Sequence, residues 1–340
     1  MLRLERDRIF ASSWQYLGRA SALEKPGAYL AGRVGHVPVV AIRGKDGVLR
    51  GFKNVCRHRA HLVAADGEGC RATLQCPYHA WTYDLDGSLL RAPRSEREPG
   101  FDSADWSLLP ISVATWGPLV FANPDPAAGP LVDHLEGIAE SVESSGVGFA
   151  TLQWRHRVVW ELQANWKNGI ENYLECYHCP VAHPGLSKLV DVDPDTYTLT
   201  PRKHGSSQQS IVRDGVREGR VNAPYVPADD VRDPQYHLLF PGTTINIEPG
   251  VQNFGIDVWH PLAPGKTAGI TDYYFGPGVS DAEVAELVAF SQQVGAEDDG
   301  LVRSVQAGLE SGVVPQGRLL LNAEPLIAHF QRYVYSALAG

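Results

Sequence analysis

Two short stretches of the sequence each combine a cysteine with a histidine. The first is Cys56-Arg57-His58 and the second is Cys76-Pro77-Tyr78-His79. Zinc binds such a set of two thiolates and two imidazoles in one tetrahedral site. A [2Fe–2S] cluster instead binds both cysteines on one iron and both histidines on the other. The spacing of the four residues leaves both kinds of metal site open.

A second group of possible metal ligands lies further along the chain and contains Glu175, His178 and His183. The three-residue spacing of Glu175 and His178 predicts that both side chains lie on one face of a helix. His178 and His183 are five residues apart and converge only if that helix is interrupted. We expect Pro180 to interrupt it, because proline removes an amide donor and clashes with the preceding turn.

Three interpretations of this second group remain open on spacing alone. Two histidines and a carboxylate can bind iron(II) and leave coordination positions for dioxygen. A zinc site made of Cys176, Cys179, His178 and His183 would require a tight knuckle in place of a helix. Histidines buried in a core with satisfied hydrogen bonds are the ordinary alternative.

The cysteine content predicts a reducing, cytoplasmic setting. Five cysteines are an odd number and too few for a disulfide framework in 340 residues, so we expect them to be free or bound to metal. Cys70 has no evident partner. We interpret Cys176 and Cys179 as small packed side chains.

The overall composition excludes several classes of protein. Apolar residues make up 44% of the chain and charged residues 20%, which is enough to build a substantial core and excludes general disorder. The net charge of −9 argues against a general nucleic-acid-binding protein, which needs a basic surface. No apolar stretch approaches the roughly 18 residues of a membrane-spanning helix, so we expect no membrane association.

The pattern of turns and apolar residues predicts an α+β protein with two domains. Residues 1–14 are expected to form an N-terminal helix, residues 15–125 a small β domain built from hairpins, and residues 126–340 a larger mixed domain. The boundary is placed at a proline- and glycine-rich stretch. In the larger domain we expect strands at 153–163, 244–248, 252–260 and 267–275, and helices beginning at Ser280 and covering 297–310 and 325–338.

Three segments of the sequence resemble the Rieske non-haem iron oxygenases. Asn54 to Arg59 and Cys76 to Tyr83 resemble the loops of their Rieske domain. Asn165 to Pro184 resembles the catalytic motif of their α subunits, with NWK, EN and E-x-x-H-x-x-x-x-H, and Glu297 to Leu309 resembles the downstream stretch that supplies an aspartate. The resemblance covers nearly the whole chain. It implies an all-β Rieske [2Fe–2S] domain followed by a helix-grip-like catalytic domain with an antiparallel sheet, on which residues 1–14 pack.

The resemblance also implies roles for individual residues. The cluster ligands would be Cys56, His58, Cys76 and His79, and the ligands of a mononuclear Fe(II) would be His178, His183 and Asp298. Glu297 and Asp299 are rivals for the third position, because a shift of one residue changes the face of a short helix. Glu175 would link His79 of one subunit to His178 of its neighbour in a homotrimer.

The implied activity is that of a terminal oxygenase that combines O2 with a small organic substrate. Because the chain has no dinucleotide or flavin motif, electrons from NAD(P)H would arrive through a separate ferredoxin, flavin reductase or both. Arg57, Arg59 and Arg71 would either dock such an acidic donor or represent ordinary surface charge.

The substrate remains open between two chemical classes. We expect hydroxylation of an aromatic ring, as in aromatic hydrocarbon catabolism. The alternative is oxidation or N-dealkylation of a quaternary ammonium or other non-ring substrate, because Glu175 stands where many ring-hydroxylating members carry aspartate; a simple electron carrier is less favoured. Five side chains are candidates for lining the pocket, although packing in the core is the favoured role for each: Tyr236, His237, Phe240, Phe254 and Trp259.

Overall fold

The computed structural model describes residues 1–339 and separates into two compact units. One unit is Arg6–Leu131, and the other combines Met1–Glu5 with the chain from Val132 onward. The predicted boundary after residue 125 lies close to this division. Within residues 1–339, no helix is both long enough and apolar enough to cross a membrane.

The unit Arg6–Leu131 is built from antiparallel strands. Strands β1 to β10 are Gln15–Arg19, Ala28–Val34, Val37–Arg43, Leu49–Lys53, Gly67–Cys70, Leu74–Gln75, Thr82–Tyr83, Leu89–Arg91, Pro110–Trp116 and Leu119–Asn123. Seven of them form a sheet in the order β1-β10-β9-β4-β3-β2-β5, and β6, β7 and β8 form a smaller sheet. The expected hairpins are present, with β3 and β4 joined at the Lys45 to Gly47 turn and β7 and β8 at the Asp86-Gly87 turn.

The N-terminal segment differs from the expected helix over residues 1–14. Helix α1 covers only Leu2–Arg8, and β1 begins soon afterwards because its backbone pairs with β10, with Gln15 opposite Ala122. Glu5 belongs to the second unit, where its buried carboxylate forms an ion pair with Lys167 at 2.5 Å.

The second unit is centred on one seven-stranded antiparallel sheet. Strands β11 to β17 are Gln153–Leu162, Thr198–Arg202, Gly205–Gln209, Gln235–Leu239, Thr243–Ile247, Asn253–Ala263 and Lys266–Phe275. They follow the order β11-β17-β16-β15-β14-β13-β12. Helices α2 to α8 are Leu131–His134, Ile138–Ser144, Trp166–Tyr173, Cys179–Ala182, Leu186–Leu189, Asp281–Glu310 and Pro325–Ala339.

Helix α7 replaces the two helices expected between residues 280 and 310. It is continuous for 30 residues, from the capping box of Ser280 and Glu283 onward. Interior glycines such as Gly295 cost roughly 1 kcal/mol each relative to alanine, but Leu287 and Phe290 bury apolar surface against the sheet. This tertiary packing holds the helix together across its glycines.

Candidate metal centres and substrate cavity

The two cysteine–histidine loops of the first unit have the same backbone conformation. In one loop Ala60 donates to the carbonyl of Cys56 at 2.9 Å, and in the other Ala80 donates to the carbonyl of Cys76 at 3.0 Å. Both alanines have a positive φ, +56° and +58°, which is uncommon for a residue with a Cβ. The loops are therefore two copies of one turn, and each presents a cysteine and a histidine.

The two cysteine side chains are buried next to each other, at 3% and 1% exposure for Cys56 and Cys76. Burial and the neighbouring Cys56 sulfur raise the pKa of the Cys76 thiol, because two adjacent buried thiolates would repel. The buried Tyr83 hydroxyl accepts from the Arg57 amide at 3.0 Å and lies 3.3 Å from the Cys56 sulfur. It is therefore positioned to donate a hydrogen bond to that sulfur.

The two histidine rings lie near the surface of the same unit. The ring centroids of His58 and His79 are 4.5 Å apart, and His58 stacks on the buried Trp81 at 5.1 Å. Two buried sulfurs beside two adjacent imidazoles suit a [2Fe–2S] cluster, whose cysteine-bound iron is buried and whose histidine-bound iron faces outward. When bound, such a cluster accepts and releases one electron at a time.

The second constellation lies between two helices, in a local structure that differs from the expected one. Helix α4 ends at Tyr173, so Glu175 and His178 sit in a turn and not on one helical face. Helix α5 begins at Cys179 with Pro180 in its first turn, where proline is tolerated because that amide has no partner inside the helix. Pro180 thus starts a short helix after His178 instead of breaking one.

This turn and α7 bring three ligand atoms together. The Nε2 atoms of His178 and His183 are 3.1 Å apart. Asp298 Oδ1 lies 3.0 Å from Nε2 of His183 and 3.4 Å from Nε2 of His178. Among residues 1–339 these three side chains form the group of ligand atoms, all within 4.8 Å of one another, that could hold one metal ion.

The rivals of Asp298 have other partners. Glu297 accepts a hydrogen bond from Nδ1 of His183 at 2.8 Å, behind the imidazole. Asp299 forms an ion pair with Arg303 one turn along α7. The geometry therefore favours Asp298 as the carboxylate of the triad and gives Glu297 the task of orienting His183, which sequence reasoning did not assign to it.

Each imidazole of the triad has its outer nitrogen held by a carboxylate. Glu175 Oε1 lies 2.5 Å from Nδ1 of His178, and its Oε2 accepts from the amides of Tyr177 and His178. Carboxylates in this position fix the imidazole tautomer and leave Nε2 free to bind metal. Asn172 completes the group by donating to Asp298 Oδ1 at 3.1 Å.

The charges in this group suit a divalent cation. Burial lowers the pKa of His178, but the hydrogen bonds that its imidazole donates to Asp298 and Glu175 outweigh burial and raise the pKa to about 9. Burial likewise raises the pKa of Asp298, and hydrogen bonds from both histidines lower it to about 2. In the protein without metal, protons on the imidazoles therefore compensate the negative charge of the carboxylates. An Fe(II) ion would supply the same compensation and, when bound, activates O2.

One cysteine expectation was wrong. Cys176 and Cys179 form a disulfide, whereas Cys56, Cys70 and Cys76 are free. The pairing is local, because the turn around His178 brings the two Cα atoms to 4.9 Å, a separation that disulfides favour. An overall count of cysteines carries no information about such a turn.

A cavity of about 550 Å³ opens beside the triad, within the range of small-molecule sites. Among the aromatic candidates, Tyr236 and Trp259 line it. His237, Phe240 and Phe254 are buried elsewhere in the core. Further aromatic side chains in the wall are Trp160, Tyr173, Tyr197 and Tyr273.

A buried carboxylate holds two of these rings in place. Trp160 and Trp259 meet edge to face with centroids 4.7 Å apart. Their indole N–H groups donate to Thr271 at 3.0 Å and to Thr244 at 3.3 Å, and both threonine hydroxyls donate to Asp257. The sequence signal for this network is an acid, Asp257, in an otherwise apolar strand.

Substitution of Gly269 by alanine is expected to disturb this wall. A Cβ at Gly269 would lie 2.1 Å from Cζ2 of Trp160, so the ring must move, and overpacking of this kind costs roughly 1–3 kcal/mol. We expect a lower melting temperature and weaker substrate binding. Gly308 is the control, since its Cβ would contact nothing within 4 Å and Gly308→Ala should be neutral or stabilising by up to about 1 kcal/mol. Equal effects of both changes on substrate binding would contradict the packing argument.

Comparisons with known proteins agree with this geometry. Residues 13–114 match the Rieske [2Fe-2S] domain, and residues 149–340 match the ring hydroxylating alpha subunit (catalytic domain). The carnitine monooxygenase oxygenase subunit of Acinetobacter baumannii is 34% identical, covering 97% of this chain and 90% of its own. The chloroplastic choline monooxygenase of Spinacia oleracea is 32% identical, covering 98% and 75%.

A solved structure extends the agreement to the whole fold. It is that of a quaternary ammonium Rieske monooxygenase described for carnitine oxidation and inter-subunit electron transfer. It superposes with a TM-score of 0.85 at 33% identity, covering 98% of this chain and 91% of that one. The chain is therefore a member of the Rieske non-haem iron oxygenases, an oxygenase α subunit with a Rieske [2Fe–2S] domain and a mononuclear iron catalytic domain.

Proposed function

We propose that this oxygenase oxidises or N-dealkylates a quaternary ammonium compound. The observation that carries the proposal is the cavity beside the iron triad, whose lining combines aromatic rings with the carboxylates of Glu248 and Asp257. The rings include Trp160, Trp259 and Tyr236. Aromatic faces and carboxylates together attract a cation. The relatives that act on carnitine and choline support the same substrate class.

The aromatic substrate expected from sequence is the less favoured alternative. Aromatic walls would also stack on an aromatic ring, so the rings alone do not separate the two classes. An uncharged hydrocarbon, however, would leave the carboxylate of Glu248 facing a dry apolar ligand, which is costly.

Each residue of the triad region has a distinct task in this proposal. His178, His183 and Asp298 would hold Fe(II), with Glu175 and Glu297 orienting the two imidazoles. Cys56, His58, Cys76 and His79 would hold the Rieske cluster. The aromatic wall would place the N-alkyl group of the substrate next to the metal and exclude water.

The electron route is the second part of the proposal. NAD(P)H would supply electrons through a separate ferredoxin or flavin reductase, and Glu175 would connect His79 of one subunit to His178 of its neighbour in a homotrimer. Support comes from the relative described for inter-subunit electron transfer and from the 2.5 Å contact of Glu175 with His178. Sedimentation analysis tests the trimer, and a monomer at working concentrations would contradict this route.

A single-turnover experiment tests the substrate class without the unidentified reductase. The anaerobic protein, loaded with iron, is reduced with dithionite, freed of excess reductant and mixed with O2 and one candidate. The candidates are choline, carnitine, glycine betaine and naphthalene. We expect oxidised or dealkylated product from at least one quaternary ammonium compound and none from naphthalene; the reverse result would restore the aromatic substrate.

A further inference from the structure

Within the described part of the chain, Glu248 has a carboxylate oxygen without a hydrogen-bond donor. It follows β15, lines the cavity and is half-buried. Its Oε2 accepts from the hydroxyl of Tyr236 at 3.1 Å. Among residues 1–339, no group donates to its Oε1. One oxygen of an enclosed carboxylate is therefore free to bind a ligand.

Asp257, in contrast, is fully engaged by the protein. Its Oδ1 accepts from the hydroxyl of Thr271. Its Oδ2 accepts from Thr244 at 2.9 Å and from Asn246 at 2.8 Å. This carboxylate orients the tryptophan wall, so of these two acids Glu248 is the one with capacity for direct contact with substrate.

Positive charge is scarce around the cavity. Apart from His178 and His183, the basic side chain among the described lining residues is Arg303, and Asp299 already neutralises it. No lysine or arginine within residues 1–339 forms an ion pair with Glu248. The cavity thus offers an unpaired carboxylate for a cation and no unpaired cation for an anion.

We propose that Glu248 binds the positive charge of the substrate directly, and that the substrate is a quaternary ammonium cation that carries no carboxylate. This inference rests on the proposed function and narrows it. A quaternary nitrogen has no N–H, so it would lie against the free Oε1 through electrostatic attraction, with Tyr236 and the neighbouring phenol rings of Tyr173 and Tyr197 covering its methyl groups. The carboxylate of a zwitterion such as carnitine would find no unpaired lysine or arginine among the described lining residues and would lose part of its hydration.

Binding to the full-length, iron-loaded protein under anaerobic conditions tests this inference without turnover. Quenching of tryptophan fluorescence, checked by calorimetry, gives the Kd of four probes: choline, glycine betaine, carnitine and 3,3-dimethylbutan-1-ol. The last compound has the shape of choline and no charge. We expect choline to bind about ten- to one-hundredfold more tightly than each of the other three, the range of a charge-assisted contact.

The variant Glu248→Gln isolates the charge of Glu248 while keeping its shape. It should weaken choline binding by about ten- to one-hundredfold and leave the Kd of 3,3-dimethylbutan-1-ol unchanged. The matched control is Glu161→Gln, because Glu161 also borders the cavity but is exposed and paired with Lys266 at 2.8 Å. Circular dichroism and the melting temperature establish that both variants fold.

The possible outcomes separate this inference from the proposed function. Tight binding of carnitine or glycine betaine with weak binding of choline would overturn the inference and leave the function intact. Unchanged choline binding in a folded Glu248→Gln protein would also overturn it. If the variant does not fold, the wild-type preference for choline over its neutral analogue decides the question. Absence of product from every quaternary ammonium compound in the single-turnover experiment would instead contradict the function itself.

Cation binding at Glu248 should depend on pH. Burial raises the pKa of Glu248 from 4.5 to about 7. The groups that face it are the phenols of Tyr173, Tyr197, Tyr225, Tyr236 and Tyr273. Burial raises the pKa of each phenol, so all are neutral near pH 7 and Glu248 is the group of this set that titrates there.

The direction of this pH dependence follows because only the ionised form of Glu248 attracts the cation. Below its pKa, Glu248 must lose a proton before it attracts a cation, so the Kd of choline should fall as the pH rises from about 6 to about 8 and then level off. In the free protein the raised pKa acts oppositely on stability, which decreases as the pH rises from 4.5 to about 7. In Glu248→Gln, the part of the pH dependence of the choline Kd that comes from Glu248 should disappear. The same pH dependence in the variant as in the wild type would contradict the assignment to Glu248.

Discussion

Replacement of Asp298 by asparagine is expected to empty the mononuclear iron site and leave the Rieske cluster in place. Asp298 Oδ1 lies 3.0 Å from the His183 nitrogen and 3.4 Å from the His178 nitrogen. Asparagine keeps this shape but removes the negative charge that a divalent ion needs, so two neutral imidazoles and an amide remain. Changes one contact away from a metal already cost 10–100-fold; for a direct ligand we expect at least about a hundredfold loss of turnover.

Metal and sulfide analysis measures this effect directly. Wild-type protein purified without oxygen should contain about three irons and two acid-labile sulfides per chain, from one cluster and one mononuclear iron. Asp298→Asn should contain about two irons and two sulfides, with an unchanged cluster spectrum. Zinc is measured in the same run, and zinc without sulfide in the wild type would overturn both metal sites.

Asp299→Asn is the matched control for Asp298→Asn. The two residues are adjacent on α7, but Asp299 pairs with Arg303 outside the triad, and a partly exposed pair of this spacing stabilises a helix by only about 0.3–0.5 kcal/mol. The control should therefore keep about three irons and most of its turnover. If Asp299→Asn lost iron and Asp298→Asn kept all three irons, the carboxylate ligand would have to be assigned to Asp299 instead.

The candidate ligand residues could be predicted from the sequence because their chemistry depends on residue type and short spacing. Short spacings of cysteine, histidine and glutamate marked two groups of possible metal ligands, and the family resemblance added Asp298. The side chains of His178, His183 and Asp298 converge in the structure. The contact of Glu297 with His183 could not be predicted from the sequence, because it depends on which side of α7 faces His183. That orientation is set by the packing of α7 on the sheet.

The strands were predicted where a hydrophobic pattern or a turn signal marks them. The hairpin β3–β4 and the long strands β11, β16 and β17 all carry such a pattern. Strand β13 does not, because its buried side chains are polar and pair across the sheet, as Ser207 does with His237 at 2.9 Å. Buried polar positions of this kind are satisfied only in the folded sheet, so the local sequence gives no strand signal.

The substrate cavity was the part of the protein that the sequence predicted least well. Its wall takes single residues from distant strands, among them Trp160, Tyr236 and Trp259. Sequence analysis named Tyr236 and Trp259 but placed three core residues beside them on equal terms. Glu248 and Asp257 acquire meaning only when the fold encloses them without a cationic partner.

Replacement of Glu175 by glutamine is expected to abolish most turnover while both metal centres remain occupied. Glutamine can still accept from the amides of Tyr177 and His178, which Glu175 Oε2 does now, so the turn should keep its shape. What it loses is the negative charge next to Nδ1 of His178, at 2.5 Å. A carboxylate between two metal-bound imidazoles can hold both tautomers and stabilise the charge that passes between them, and an amide cannot.

The control variant Glu297→Gln distinguishes a loss of electron transfer from a loss of orientation of an iron-ligand histidine. Glu297 contacts Nδ1 of His183 at 2.8 Å, as Glu175 contacts His178, but it has no place in the proposed route from His79. Both variants are loaded with iron to about three per chain, the cluster is reduced, and its reoxidation by O2 in the presence of substrate is followed through its visible absorbance. We expect reoxidation to slow by at least about a hundredfold in Glu175→Gln and much less in Glu297→Gln, since support of one ligand accounts for 10–100-fold. Equal slowing in both variants would reduce Glu175 to a support for His178, and full turnover of Glu175→Gln with both metals bound would exclude it from the electron route.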